Sequence, residues 1–119
     1  MNVETNGVSW LEQKIAACKE NKKALCADER ADEATFEQIR ANVYDIFKTV
    51  LTVGAKNSDP EKTMAFFRQR LETIPRAWRE ALANAEAHDD GEKAQIERVK
   101  LEALEEIRTH FETVWGEEA

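Results

Sequence analysis

Histidine and cysteine, which often carry metal and nucleophilic chemistry, are scarce in this sequence and stand outside the usual motifs. The chain has two histidines, His88 and His110, and two cysteines. A di-iron site in a helical bundle uses a glutamate three residues before a histidine on each of two helices. Ala85 and Ile107 occupy those positions here. HExxH, paired-cysteine, glycine-rich phosphate-loop and GxSxG motifs are also absent. We therefore predict no catalytic residue, no metal site and no cofactor.

Glu106 and His110 form the main candidate for acid–base chemistry. Glu106 precedes His110 by one helical turn, and a neighbouring carboxylate favours the charged imidazole. A histidine at the edge of a bundle, satisfied by the adjacent acid, explains the same pattern without a reaction. His88 falls at a predicted helix C-terminus, where its charge complements the helix dipole. We favour structural roles for both histidines.

Arginines line one side of the third predicted helix. Arg68, Arg76 and Arg79 share this side with Glu72, which is four residues from both Arg68 and Arg76. Such a side could bind an anionic ligand. Ion pairs along the helix, together with attraction to the acidic last helix, account for the same pattern. We favour the ion-pair ladder over the ligand site.

Two acidic runs resemble the magnesium-binding motifs of the all-α nucleoside triphosphate pyrophosphohydrolases, an EExxE run followed by ExxD. Asp28, Glu29 and Asp32 resemble the first run, and Glu86 with Asp89 match the second. The resemblance implies metal-dependent nucleotide hydrolysis. However, the two runs are much farther apart here than in that family. Both also fall at predicted turns, where acids cap helices or stay hydrated, and we prefer that interpretation.

Length and composition indicate one helix-rich domain spanning residues 1–119. The chain has four glycines, two prolines and 34% charged residues, which argues against a β-sandwich and against disorder. Its net charge of −7 comes from residues 86–119, which hold eleven acids and four bases. This acidic excess disfavours nucleic-acid binding because it repels phosphates. We find no membrane-spanning run and no targeting segment, and we expect a cytoplasmic protein.

The two cysteines agree with a reducing compartment. Cys18 and Cys26 are eight positions apart on one predicted helix, a rise of about 12 Å. This separation is too large for a disulfide between them. We expect both to be reduced, partly buried thiols.

The stretch 35–54 organises the rest of the chain. At 100° per residue its apolar side chains cover about half of the helix circumference, which suits a helix flanked by two neighbours. These side chains are Phe36, Ile39, Val43, Tyr44, Ile46, Phe47, Val50, Leu51 and Val53. The pattern predicts that they all face the interior of a bundle.

Local signals place the ends of four helices, at residues 9–27, 32–53, 59–88 and 91–115. Capping residues predicted at the helix starts are Ser9, Asp32, Ser58 or Asp59, and Asp89 or Asp90. Gly54 is predicted to end the second helix in a left-handed conformation. Residues 28–32 are predicted to form the turn between the first two helices, although a continuous helix also fits because no glycine marks this segment.

Pro75 interrupts the third helix. It removes one backbone hydrogen bond and crowds the carbonyl of Leu71, yet the apolar register from Phe67 continues through Trp78. We therefore predict one helix kinked or split near Pro75. The fold class is all-α, an antiparallel up-and-down four-helix bundle.

This topology would gather five large apolar residues at one pole of the bundle: Trp10, Leu51, Phe66, Phe67 and Trp115. Phe66 lies nearly opposite the core stripe of its helix, so a monomer would leave it largely in water. Because aromatic residues are enriched at interfaces, we predict that this pole contacts a second copy or a protein partner. Alternatively, the five residues plug the open end of the core.

The segments DEATFEQIRANVYDIF and IPRAW resemble small helical bacterial proteins that have no assigned function. The resemblance covers most of the chain and implies no activity or site. We predict a binding or structural module that forms a homodimer or docks a protein partner. The alternative is a small enzyme or anionic-ligand binder that uses the bundle carboxylates or the arginine side.

Overall fold

The computed structural model describes residues 3–57 and 59–118, and this part of the chain is an all-α bundle. Its helices are α1 (Val3–Ala27), α2 (Ala31–Gly54), α3 (Pro60–Thr73), α4 (Arg76–Ala87) and α5 (Gly91–Glu118), and a 3-10 turn (Ala55–Asn57) follows α2. Together α3 and α4 form one kinked rod. The described residues thus make the predicted four-helix bundle.

Helix α2 lies at the centre of the packing, as its apolar arc predicts. It contacts α1, α3 and α5, whereas α4 packs against α5. Its largest buried side chains are Tyr44, Phe47 and Leu51. Helix α2 therefore supplies the surface on which three other helices assemble.

The break at Pro75 is a kink between two right-handed segments. Ile74 has φ −60° and ψ −45°, and Pro75 has φ −75° and ψ −2°. Both residues keep helical backbone angles, so the chain continues in the same sense. Phe67 and Leu71 before the kink and Pro75 after them are all buried. The prediction of an interrupted helix with a continuous register is confirmed.

Helix α1 begins earlier than predicted. It is already helical at Val3, so Ser9 lies inside the helix and the prediction that it caps the start is wrong. Gly7 is buried, and a Cβ built on it would lie 2.9 Å from Cε1 of Phe111. Packing of α1 on α5 at Gly7 stabilises the first turns of α1, before Ser9. A capping pattern in the sequence does not show such packing between helices.

The turn predicted between α1 and α2 is present, but its residues differ from the predicted ones. Glu29 adopts φ 59°, and the amide of Arg30 donates to the carbonyl of Leu25 at 2.8 Å. This is the arrangement that commonly ends a helix, built here without glycine. Asp32 lies in the first turn of α2, after Arg30 at the cap, so the prediction that it caps α2 is wrong.

The same geometry ends α4. Asp89 adopts φ 55°, and the carboxylate of Asp90 accepts a hydrogen bond from the amide of Lys93 at 3.1 Å. The predicted aspartate cap of the last helix is therefore confirmed at Asp90. Helix α5 continues to Glu118, beyond the predicted end at Trp115.

Gly54 is the last residue of α2, and because it has no side chain it leaves room for the ring of Phe66. It has no positive φ, so the predicted left-handed cap is wrong. A Cβ built on Gly54 would lie 2.8 Å from Cδ2 of Phe66, and Thr63 donates its hydroxyl to the carbonyl of Gly54 at 3.1 Å. Asp59 caps α3 by accepting from the amide of Glu61 at 3.0 Å, which confirms that prediction. Ser58 lies outside the described residues.

Replacing Gly7 by alanine should destabilise the fold because the added methyl group overlaps Phe111 and Leu51. Overpacking of this kind costs about 1–3 kcal/mol. Gly116→Ala is the matched control, because a Cβ on Gly116 meets nothing within 4 Å. Urea unfolding should show Gly7→Ala less stable than wild type and Gly116→Ala no less stable. Equal stability of wild type and Gly7→Ala would contradict the close packing.

Replacing Glu29 by glycine should stabilise the protein, because a side chain in the left-handed region costs about 1 kcal/mol that glycine avoids. Ala27→Gly, in the last residue of α1, should instead destabilise it, because glycine lowers helix propensity. Thermal unfolding of both variants checks the sign of each change. A lower melting temperature for Glu29→Gly would contradict this turn geometry.

Candidate functional site

Four of the five residues predicted to share a pole meet at one end of the bundle around Phe111, and the fifth, Phe66, packs on Gly54. The ring of Phe67 lies 4.6 Å from the ring of Phe111 and 5.4 Å from that of Trp115. Trp10 meets Phe111 edge-on at 5.9 Å. Leu51 and Phe111 both border Gly7. We call this cluster the aromatic end.

Burial divides the aromatic end into core and rim. Leu51 and Phe67 are 0% exposed and Trp115 is 2% exposed, so these three side chains close the core from inside. Phe66 is half-buried, with its ring against Gly54 and the guanidinium of Arg70 at 5.1 Å from the ring centre. The expectation that Phe66 lies largely in water is wrong, because Gly54 leaves room for its ring.

A shallow groove of about 500 Å³ separates α1 from α5 beside the aromatic end. Trp10 of α1 stacks on His110 of α5, with ring centres 3.9 Å apart and planes 7° from parallel. Lys14 lies one turn after Trp10 and forms an ion pair with Glu106 at 3.1 Å. These two contacts tie α1 to α5.

Glu106 is held by α1 and α2. Besides Lys14, the hydroxyl of Tyr44 donates to Glu106 at 2.5 Å. Burial acts to raise the pKa of Glu106, but the hydrogen bonds from Tyr44 and Lys14 outweigh it and lower the pKa overall. Burial and the bond to Glu106 raise the pKa of Tyr44. Glu106 is therefore an ionised acceptor that is held by two donors.

His110 has a different environment from the one its spacing predicted. Burial, and to a lesser extent the charge of Lys14, lower the pKa of its imidazole. Because Glu106 bonds to Tyr44 and Lys14, it does not favour the charged imidazole. The predicted Glu106–His110 pair is wrong, and the neutral ring of His110 packs on Trp10 instead. The site favours a contact between helices over acid–base chemistry.

The predicted arginine ladder is also replaced by contacts between helices. Glu72 accepts from Arg108 of α5 at 3.3 Å, and Arg68 lies over the ring of Trp115 at 5.3 Å. Arg76 and Arg79 are exposed. The charged residues on this side of α3 thus fasten it to α5.

The two acidic runs do not form a metal site in the described part of the chain, where no group of three or more ligating side chains is placed to hold an ion. Asp28 and Glu29 are exposed in the turn after α1. Glu86 forms an ion pair with Arg98 at 3.3 Å. Each run serves the helix ends at which it lies.

The two cysteines are both free thiols in different environments. Cys18 is buried, and its burial, followed by the neighbouring Glu37, raises the thiol pKa to about 11. Cys26 is exposed, so the prediction of partial burial does not describe either residue. A thiol with a raised pKa is a poor nucleophile at neutral pH.

The most unusual surface lies on α2, where we predicted inward-facing residues. Ile46 is 39% exposed and Val53 is 48% exposed, and they are the exposed large hydrophobic residues within the described ranges. The prediction that they face the interior is wrong. We call this surface the α2 stripe, made of Ile39, Ile46, Val50 and Val53 with Thr35, Asn42 and Thr49 beside them. The signal in the sequence that points to this surface is the seven-residue spacing of Ile39, Ile46 and Val53.

Comparisons with protein-family models, curated proteins and solved structures gave no match. None of the described helices combines the length and apolarity needed to cross a bilayer. The α2 stripe and the Trp10–His110 groove are therefore judged on their geometry alone.

The lowered pKa of His110 predicts a loss of stability as the pH falls below the ordinary histidine value of about 6.5. In this window the unfolded chain binds the proton first, so protonation favours unfolding until the folded-state pKa is reached. Urea unfolding at pH 7.5 and 5.5 should show a smaller loss for His110→Gln than for wild type. Equal losses in wild type and His110→Gln would contradict the burial of His110.

Proposed function

We propose that this chain is a small structural module that works as a cytoplasmic homodimer, with a second copy docked on the α2 stripe. One observation carries the proposal: Ile46 and Val53, the exposed large hydrophobic residues of the described chain, lie on one face of α2. Single exposed apolar residues need no explanation, but an aligned series marks an interaction surface.

The spacing of the α2 stripe suits another helix. Ile39, Ile46 and Val53 recur every seven residues, which places them on one line two helical turns apart, about 10.5 Å. The heptad spacing is the pattern by which helices pack side by side. A helix of the same protein presents the same line.

The lack of charge on the α2 stripe argues for a second copy. Its seven residues carry no charge in a chain that is 34% charged, although they span about 100° of the helix. Two copies with a net charge of −7 each repel one another, and this repulsion is smallest where an uncharged surface of each copy forms the contact. Depletion of charge is also what distinguishes the cores of protein interfaces.

The aromatic end borders the α2 stripe at its C-terminal end. The sequence placed the interface on the aromatic end itself, but Leu51, Phe67 and Trp115 are buried within the chain. Phe66 packs on Gly54, the residue next to Val53, so this half-buried ring borders one end of the stripe. The proposed interface therefore runs along α2 from the rim of the aromatic end.

The exposed area implies a weak dimer. Covering the exposed part of one aliphatic side chain contributes about 1 kcal/mol, and two such residues in each copy give about 4 kcal/mol. Association also costs translational and rotational freedom, which burial of the half-buried neighbours offsets, and we expect a dissociation constant on the order of millimolar. Measurements of self-association must therefore extend from about 1 µM to 1 mM.

The double variant Ile46→Lys/Val53→Lys should abolish self-association because dimerisation would bury four unpaired charges. We expect the dissociation constant to rise on the order of 100-fold or more, measured by sedimentation equilibrium. Ala17→Lys/Ala24→Lys is the matched control: both alanines are exposed, seven residues apart on α1. It adds the same charge and should still dimerise. A wild-type chain that stays monomeric at 1 mM, or two double variants that behave alike, would overturn the proposed function.

A further inference from the structure

We propose that the two copies pair with their α2 helices antiparallel, around a two-fold axis that passes between the two helices at the level of Ile46. This inference rests on the proposed function and adds the orientation of the partner. The uncharged α2 stripe fits either orientation by itself. The charges at its two ends distinguish them.

The N-terminal end of the α2 stripe is acidic. Asp32 is exposed and stands seven residues before Ile39, on the same line of the helix. Glu33 is paired with Arg30, whereas Asp32 takes part in none of the ion pairs between described residues. A parallel partner would place its own Asp32 beside this one.

The C-terminal end of the α2 stripe is basic. Lys56 is exposed in the 3-10 turn, three residues after Val53. In the antiparallel arrangement Ile39 faces Val53 of the second copy, and Lys56 comes level with Thr35–Phe36. Asp32 then lies about 6 Å further along the helix, a distance that a lysine side chain spans. Antiparallel pairing thus brings opposite charges together at both ends of the interface.

The helix dipoles also favour the antiparallel arrangement. The N-terminus of α2 carries partial positive charge and its C-terminus partial negative charge. In an antiparallel pair the N-terminus of each α2 lies beside the C-terminus of the other. In a parallel pair the two N-termini lie side by side, and so do the two C-termini. A two-fold axis also closes the assembly, because each copy uses the same surface. The stripe is then covered completely and no filament grows from it.

Cysteine pairs on the α2 stripe can measure the orientation directly. Antiparallel pairing around Ile46 places Asn42 within one residue of the level of Thr49 of the second copy, an offset of about 1.5 Å along the helix. It separates the two copies of Asn42 by about 12 Å along the helix, too far for a disulfide. Parallel pairing places Asn42 beside Asn42 and Thr49 beside Thr49. Both residues are exposed in the single chain.

The experiment uses the full chain in a Cys26→Ser background, because Cys26 is exposed. Asn42→Cys and Thr49→Cys chains are oxidised separately and as an equimolar mixture near 1 mM. Ile46→Cys serves as the positive control because it lies at the proposed axis. We expect a disulfide dimer in the mixture and in the Ile46→Cys sample, with at least several-fold less in either single-variant sample. Mass spectrometry identifies the linked residues.

Each other outcome overturns the inference, and the outcomes separate it from the proposed function. Disulfides formed by Asn42→Cys alone and by Thr49→Cys alone show a parallel dimer, which overturns the orientation and leaves the homodimer standing. No disulfide in any sample, together with a monomer by sedimentation, overturns both. Crosslinking by Cys18 in place of the introduced cysteines shows a different interface and also overturns both.

A charge exchange between Asp32 and Lys56 provides a second readout. Asp32→Lys alone and Lys56→Asp alone should each weaken the dimer by a few fold, because each replaces an attraction by a repulsion across the interface. Asp32→Lys/Lys56→Asp should recover the wild-type dissociation constant. A purely local effect on the end of α2 would not recover it, since both changes oppose the helix dipole. Additive weakening in the double variant would overturn the antiparallel arrangement.

Discussion

The structure depends on a mismatch between the apolar arc of α2 and the neighbours available to cover it. The arc spans about half of the helix, wide enough for two flanking helices. Helix α1 covers one side of the arc and α3 packs on another, whereas α4, after the kink at Pro75, packs on α5 and not on α2. Ile46 and Val53 are left exposed. Burying them within one chain would require a further neighbour beyond α1, α3 and α5, and a second copy can supply it.

Local chemistry made much of the fold predictable. Helical periodicity identified α2 as the central helix, and the properties of proline and aspartate placed the kink at Pro75 and the cap at Asp59. The start of α1 could not be predicted, because it depends on the approach of Gly7 to another helix rather than on a cap at Ser9. The exposure of Val53 could not be predicted either. A helical wheel shows which residues are apolar, but it does not show whether a neighbour reaches them.

Contacts within the candidate sites depend on which of several nearby hydrogen-bond partners a polar side chain binds. Spacing along α5 paired Glu106 with His110, whereas the fold brings Lys14 and Tyr44 to Glu106 from two other helices. Glu106 bonds to these residues of other helices because charge-assisted hydrogen bonds from two donors are stronger than a contact with the neutral imidazole of His110. The aromatic end was predictable as a cluster, since topology alone brings helix ends together. Its burial depends on two glycines that make room for neighbouring rings, and sequence patterns do not report such space.

The α2 stripe is the part of the surface that most needs explanation, and its coverage by a second copy can be observed residue by residue. Proton–nitrogen correlation spectra of the unmodified chain, recorded from about 1 mM down to about 10 µM, would report the environment of each amide. We predict concentration-dependent shifts or broadening along the exposed face of α2, strongest around Ile46 and Val53. Spectra that do not change with concentration, or changes confined to the Trp10–His110 groove, would contradict it.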